Sequence, residues 1–323
     1  MKLTEGPYAV SLEQEFGSFL TSHGDALPLQ STVACSSGTT ALFGAFVGCG
    51  IGPGDEVVVP GYGFQAAALA VLMVGAQPVF ADVDPVWGLI DPDTVPVDDP
   101  KAIVAIDLDG RVANYERINE LFPDAWIVED AAPSLGSAGL CSEYVDVAIF
   151  SGNESKKWSC GEGGMISTPS RDIAHVARAA MRFGETDYKP AGGYRTSNVR
   201  GMNGKIPELC AMTGLADLPF VRGRSIEADR SRSIISIELG LPEVPSGSTV
   251  AWHKIRLPIG LRDRWAGPTT PTTVAPLEDH PLFSDYVTRP LVGARQFHES
   301  TFVIGDRTHT PWSGTLPGFL KGK

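Results

Sequence analysis

Cysteine is scarce in this sequence, and what there is lies scattered. Only Cys35, Cys49, Cys141, Cys160 and Cys210 occur in 323 residues, with no CxxC pair and no paired histidine spacing. The pattern excludes a disulfide framework and a zinc-ribbon type of site, and fits reduced thiols in a cytoplasmic enzyme. Basic residues are short as well. Lys and Arg total 26 against 38 Asp and Glu, a formal charge of −12, which argues against broad contact with nucleic acid or an anionic membrane. Long apolar runs are missing too: each is interrupted well before the ~18 residues of a membrane span. Met1-Lys2-Leu3-Thr4-Glu5 opens no secretory leader, because no apolar core follows it. Neither an internal repeat nor a low-complexity tract is present. What the chain does have is a 43% hydrophobic fraction, enough at this length to bury a large core.

From about Ser11 to Pro219, helical patterns alternate with short apolar runs near 56–60, 78–83, 102–107, 125–129, 145–150 and 164–168. This alternation predicts an α/β fold, a mostly parallel central sheet with helices on both faces. Asp91 to Asp99, rich in Asp and Pro, reads as a surface loop. Pro and Gly density rises from about Pro242 to Thr273, as expected for turns in a small C-terminal α+β domain. The division expected is a large domain over 1–220 and a shortened small one over 221–323.

The most informative stretch runs from Val145 to Gly164, VDVAIFSGNESKKWSCGEGG. Its apolar, β-branched start reads as a buried strand. Ser151 leaves the strand, Lys156 follows, and Gly161, Gly163 and Gly164 allow close backbone approach. A lysine at the mouth of a buried sheet is costly to desolvate, which favours a neutral, nucleophilic amine. Such an amine bonds to carbonyls, pyridoxal phosphate among them. The plain alternative is that Lys156 and Lys157 form a solvated loop pair.

Pyridoxal phosphate needs a phosphate cradle, an anion opposite its ring nitrogen and a flat group against its ring. Ser36-Ser37-Gly38-Thr39-Thr40-Ala41-Leu42 runs from small hydroxyl residues straight into an apolar helix. Its N-terminal N–H groups could hold a phosphate, and Ser151 offers a hydroxyl donor. An ordinary Ser/Thr N-cap would look the same. Asp130 ends the strand-like run Ala125–Asp130, where open α/β sheets bind ligands. Strand alternation sends Glu129 to the other side. A carboxylate on the ring nitrogen keeps it protonated, which makes the ring an electron sink; a helix-capping aspartate is the competing reading. Phe64 is the candidate ring stacker, with Tyr62 its rival, although aromatics at such positions commonly belong to cores.

These residues together resemble the DegT/DnrJ/EryC1/StrS family of PLP-dependent sugar aminotransferases. The resemblance rests on SSGTTAL at 36–42, GIGPGDEVVVPGYGF at 50–64, GAQPVFADVDP at 75–85, IVEDAAPSLGS at 127–137, the Lys156 segment and GMNGKIPELCAMTGLADL at 201–218. It covers roughly residues 6 to 220. The resemblance implies a PLP fold type I enzyme with Lys156 as the lysine that bonds the cofactor and Asp130 on its ring nitrogen. It implies Phe64 on the ring and Gly38, Thr39 and Ser151 on the phosphate. Asn203 would reach that phosphate from the neighbouring subunit of a homodimer with shared active sites. The expected reaction moves an amino group from glutamate or glutamine to a keto or aldehyde acceptor, such as a keto-sugar or specialised-metabolite intermediate. Substrates would be small molecules, with no nucleic-acid, membrane or metal partner.

The chain also departs from the family pattern. Pro133 stands where members usually carry Gln or His after the EDAA motif, so a side-chain donor is missing. Gly152-Asn153-Glu154-Ser155 replaces bulkier residues, which would widen the pocket or add a charge to it. These departures keep decarboxylation, elimination or C–C bond formation on the same scaffold as alternatives.

Overall fold

The computed structural model describes residues 5–22, 31–186, 196–239, 254–264, 269–270 and 274–305. In chain order the helices are α1 (Pro7–Thr21), α2 (Gly38–Gly48), α3 (Ala66–Met73), α4 (Tyr115–Leu121), α5 (Arg171–Met181), α6 (Glu208–Asp217), α7 (Val221–Leu239) and α8 (Val292–Ser300). The strands are β1 (Ser31–Cys35), β2 (Glu56–Pro60), β3 (Gln77–Ala81), β4 (Ala102–Ile106), β5 (Trp126–Asp130), β6 (Val147–Ser151), β7 (Gly164–Thr168), β8 (Lys254–Pro258), β9 (Thr269–Thr270) and β10 (Thr301–Gly305). The first seven strands form one sheet in the order β1-β7-β6-β5-β4-β2-β3. Only β7 runs against its neighbours β1 and β6; the pairs from β6 through β3 are parallel.

Both faces of this sheet are covered, so its strands read as continuous apolar runs. One face carries Val57, Val59, Val104, Val128, Val147 and Ile149 under α2, α3 and α5. The other carries Val58, Ile103, Ile127, Ala148 and Phe150 under α1, α4 and α6. The six strands expected from the sequence are all present, displaced by at most two or three residues at their ends. A seventh, β1, was not expected: STVAC is short and half polar, and its identity depends on pairing with β7 far along the chain. The Asp91–Asp99 loop contains a single 3₁₀ turn, Pro92–Thr94.

Two carboxylates tie distant segments to this frame. Glu208, only 2% exposed, accepts the N–H groups of Gly6, Tyr8 and Ala9 (2.7, 3.0 and 3.1 Å). That satisfies the open donors of α1, which lacks a side-chain cap of its own. Asp82 accepts the N–H groups of Gly293 and Ala294 (both 2.8 Å), fixing α8 beside β3. Leu277, Phe283, Leu291 and Phe297 thereby enter the same core as α2 and α3. Strands β8, β10 and β9 form a separate antiparallel sheet in that order. Among the described residues no helix is long and apolar enough to cross a membrane.

Candidate active site

The candidate residues gather at the carboxyl ends of the parallel strands. Asp130 is the last residue of β5 and Ser151 the last of β6, and both lie on the face covered by α2. The N-terminus of α2 comes down onto Ser151: a side chain on Gly38 would sit 3.0 Å from the Ser151 Cβ. This approach depends on glycine elsewhere too, because a Cβ on Gly164 would lie 2.3 Å from the Ser37 carbonyl oxygen. Ser37 caps the helix, its Oγ accepting the Thr40 N–H at 3.1 Å while Thr40 Oγ1 accepts the Ser37 N–H at 2.9 Å. Among the described residues no acceptor is paired with the N–H of Gly38 or Thr39. Their donors and the helix dipole point at the space beside Ser151, which suits an anion.

Lys156 stands on a loop held from several sides. Asn153 makes the turn, its Oδ1 accepting the N–H and hydroxyl of Ser155 (3.0 and 2.7 Å), and its carbonyl accepts the Lys156 N–H at 2.9 Å. Gly152 and Gly163 close the loop neck at 2.8 Å. Trp158 anchors it to the core: its indole N–H donates to the Gly214 carbonyl at 2.8 Å, and its ring meets Phe16 at 5.0 Å. Asp217 accepts the Ser159 N–H and a two-pronged contact from Arg224, whose guanidinium also donates to the Lys157 carbonyl. A side chain on so braced a loop is pre-positioned.

Lys156 and Lys157 are not a solvated pair. Lys157 is 3% exposed, whereas Lys156 is half-buried and near enough to Asp130 to act on its charge. Gly152 does not widen the pocket either: a Cβ there would lie 2.4 Å from Cys160 Sγ and 3.0 Å from Trp158, so the space is already filled. Glu154 is exposed. Cys160 is a packing residue, its thiol pushed up to about 12 by burial and therefore protonated near neutral pH.

Asp130 is 6% exposed, and burial pushes its carboxyl up to about 6. Two influences oppose the rise: the Ala132 N–H donates to Oδ1 at 3.1 Å, and the Lys156 ammonium attracts the ionised form. Glu129 faces the opposite side of the sheet, where the Cys141 N–H donates to it at 2.9 Å. Phe64 lies beyond the end of β2, next to Gly63, which is pressed against Ile106. Its ring is 54% exposed and available to cover a ligand. Tyr62 is wholly buried, edge-on to Phe297 at 5.0 Å, and cannot serve.

Asn203 is exposed and takes a hydrogen bond from Lys205 Nζ at 2.9 Å. Its neighbour Gly204 accepts the Ser36 N–H at 2.8 Å, so the loop flanks the start of α2. Among the described residues no hydrogen bond joins Asn203 to Gly38, Thr39 or Ser151 of the same chain. The bracing residues Trp158, Asp217 and Arg224 are absent from the sequence-based expectations; their partners lie 56, 58 and 67 residues away, and no local pattern signals them.

The sequence pattern of the DegT/DnrJ/EryC1/StrS aminotransferase family matches residues 1–256. The UDP-N-acetyl-3-dehydro-alpha-D-glucosamine 3-aminotransferase of Acidithiobacillus ferrooxidans is 31% identical over 254 residues, 72% of this chain and 65% of the relative. The chain thus spans a little under two thirds of that protein's length. A DegT DnrJ EryC1 StrS aminotransferase from Brucella abortus superposes with a TM-score of 0.80 at 26% identity, over 94% of this chain and 86% of that one. NtdA from Bacillus subtilis, solved with bound cofactor PMP, superposes with a TM-score of 0.79 at 25% identity, over 94% and 73%. The fold is that of the PLP type I aminotransferases. The open N–H groups of α2, the buried Asp130 and the braced Lys156 fit the phosphate, ring nitrogen and carbonyl of pyridoxal 5'-phosphate, the cofactor of this family.

Proposed function

We infer an activity from two premises: the chain belongs to the DegT/DnrJ/EryC1/StrS aminotransferase family, and Asp130 and Ser151 end neighbouring strands against the open N-terminus of α2, with Lys156 near enough to Asp130 to favour its ionised form. The second is the observation that carries the reading. The protein is a PLP-dependent aminotransferase that moves an amino group from glutamate or glutamine to a keto or aldehyde acceptor. A keto-sugar acceptor is supported by the Acidithiobacillus relative, whose name gives a 3-dehydro sugar nucleotide.

In this reading Gly38, Thr39 and Ser151 hold the phosphate, Phe64 covers the ring, and Asp130 keeps the ring nitrogen protonated. Bound there, pyridoxal phosphate supplies an electron sink for charge developing on the substrate carbon. Lys156 would hold the cofactor through its Nζ, and the same amine, once free, would take and return the proton at the substrate carbon. The brace from Trp158 and Asp217 keeps Nζ within reach through both half-reactions.

The working form is a homodimer in the cytoplasm, with Asn203 completing the partner's phosphate site. Exposed Leu209, Met212, Phe220 and Ile226 along the α6–α7 segment support an apolar face for a second copy. Five free cysteines suit a reducing compartment. The large domain of this reading is 1–220 and the small one 221–323. Incubating the PLP-loaded protein with glutamate, and separately with glutamine, tests the activity. Conversion of the pyridoxal absorbance to that of pyridoxamine is expected with one of them. No conversion with either, in protein that has bound PLP, overturns transamination in favour of another reaction on the scaffold.

A further inference from the structure

On the face of the sheet away from Lys156, two acids lie on neighbouring strand ends, and among the described residues no ion pair joins either to a cation. Asp107 follows the last residue of β4, and Glu129 is the penultimate residue of β5; both are 0% exposed. Each has one oxygen satisfied. Asp107 Oδ1 accepts the Ala113 N–H and the Tyr115 hydroxyl, both at 2.9 Å, and Glu129 Oε2 accepts the Cys141 N–H at 2.9 Å. The other oxygens, Asp107 Oδ2 and Glu129 Oε1, are buried and lack any donor. The β4–β5 register sets Ala105 against Glu129 and Ile106 against Asp130, so Asp107 follows on the same face as Glu129, one step along.

Two bare carboxylate oxygens on neighbouring strand ends inside a core would repel and forgo their hydrogen bonds, a cost that buried acids avoid by keeping a proton. We propose that Asp107 and Glu129 share one proton between these two oxygens and thereby pin the carboxyl ends of β4 and β5, on which Asp130 is carried. The backbone reinforces the tie, since the Asp107 N–H donates to the Asp130 carbonyl at 3.0 Å. The titratable groups facing the pair are Tyr115 from α4, Cys141 from the loop after β5 and Asp130 across the strand. None is cationic: burial, the largest influence, pushes both acids upward and Asp130 adds to the rise at Glu129, while the Tyr115 hydroxyl at Asp107 and the Cys141 thiol at Glu129 oppose it. Asp107 and Glu129 are positioning residues. Their consequence for Asp130 rests on the reading above, whereas the shared proton does not.

The sign of the pH dependence follows from proton counting. The folded pair keeps a proton that unfolded carboxyls release in the ordinary acidic range. Raising the pH therefore favours unfolding, by at most about tenfold in the equilibrium per pH unit for one proton. Two measurements on the full-length protein test this. Infrared difference spectra at neutral pH should show a buried protonated carboxyl C=O stretch that vanishes in Glu129→Gln and in Asp107→Asn. Thermal midpoints measured from pH 5.5 to 8.5 should fall more steeply in the parent than in Glu129→Gln, so the gap between them widens with pH. Absence of the infrared band in the parent overturns the proposal even if the variants fail to fold. Parallel midpoint curves overturn it too. Neither readout involves the cofactor, so failure here leaves the reading of Asp130 standing, and failure of that reading leaves the pair intact.

Discussion

Lys156, on the loop after β6, bears electrostatically on Asp130 at the end of the neighbouring β5: its charge draws down an aspartate that burial has raised to about 6. The pair stores a cost that a cationic ring nitrogen would relieve, since a buried carboxylate is stabilised by every positive charge that joins it.

Lys156, and not Lys157, should bear the cofactor. Lys157 is sealed at 3% exposure, while Lys156 is half-buried and acts on the charge of Asp130. Borohydride reduction of the PLP-loaded protein followed by peptide mapping should put the pyridoxyl mass on Lys156; finding it on Lys157 would reverse the assignment. Lys156→Ala should abolish turnover yet still bind PLP through the phosphate and ring contacts.

Asp130→Asn should separate stability from chemistry. A folded pKa raised from the ordinary carboxylate value to about 6 means the folded state binds the proton more tightly. Stability from this group is therefore present at low pH and lost as pH rises through about 6. Removing the charge should make the cofactor-free variant more stable than the parent at pH 7.5, by an amount on the order of 2 kcal/mol, measurable by denaturant titration. Activity should fall by several orders of magnitude, each ~1.4 kcal/mol of lost transition-state stabilisation costing tenfold. A variant with near-parental activity would make Asp130 a structural cap.

Gly164→Ala should strike the phosphate cradle rather than the fold as a whole. The added methyl would lie 2.3 Å from the Ser37 carbonyl oxygen and 2.9 Å from the Gly38 nitrogen, so the start of α2 must shift. PLP affinity measured by dialysis should drop at least about tenfold, the equivalent of ~1.4 kcal/mol. Gly161→Ala is the contrast. Gly161 has φ of +81° with no atom near its would-be Cβ, so it should lose about 1–2 kcal/mol of stability to backbone strain and leave PLP affinity close to parental.

Where the chain carries a local pattern, the site was legible before the fold. The β-branched run at 145–150 announced β6, and alternation put Asp130 and Glu129 on opposite faces, where the structure has them. Small residues ahead of an apolar helix announced α2, and the Ser/Thr cap weighed there takes the form of a capping box between Ser37 and Thr40. Long-range partnerships left no such mark. Glu208 meets the start of α1 about 200 residues away, Trp158 meets Gly214, and the Asp107–Glu129 pair joins residues on two strands whose adjacency only the sheet order reveals. Strand β1 went unseen because five residues of mixed polarity become a strand only against β7. The widened pocket expected at Gly152 failed for a related reason: a glycine in sequence does not say whether its missing side chain leaves space or admits a neighbour, here Cys160 and Trp158.

Asn203 should complete the phosphate site of a second copy. The Met202–Lys205 loop flanks the start of α2 through the Ser36–Gly204 hydrogen bond, yet the Asn203 side chain is exposed and, among the described residues, bonded only toward Lys205. A phosphate dianion takes more donors than two N–H groups and a hydroxyl supply, and an amide from a neighbour adds one. An isologous two-fold interface would build two such sites at once. Lys156→Ala and Asn203→Ala, each first shown to be inactive, provide the test by subunit exchange. In a mixed dimer one site carries both changes and the other neither, so random pairing should restore about a quarter of parental activity. If Asn203 serves its own chain, each site keeps one defect and mixing restores nothing. Size-exclusion chromatography of the mixture, with one variant tagged, establishes that subunits exchanged, so that a failure to recover activity counts against the shared site.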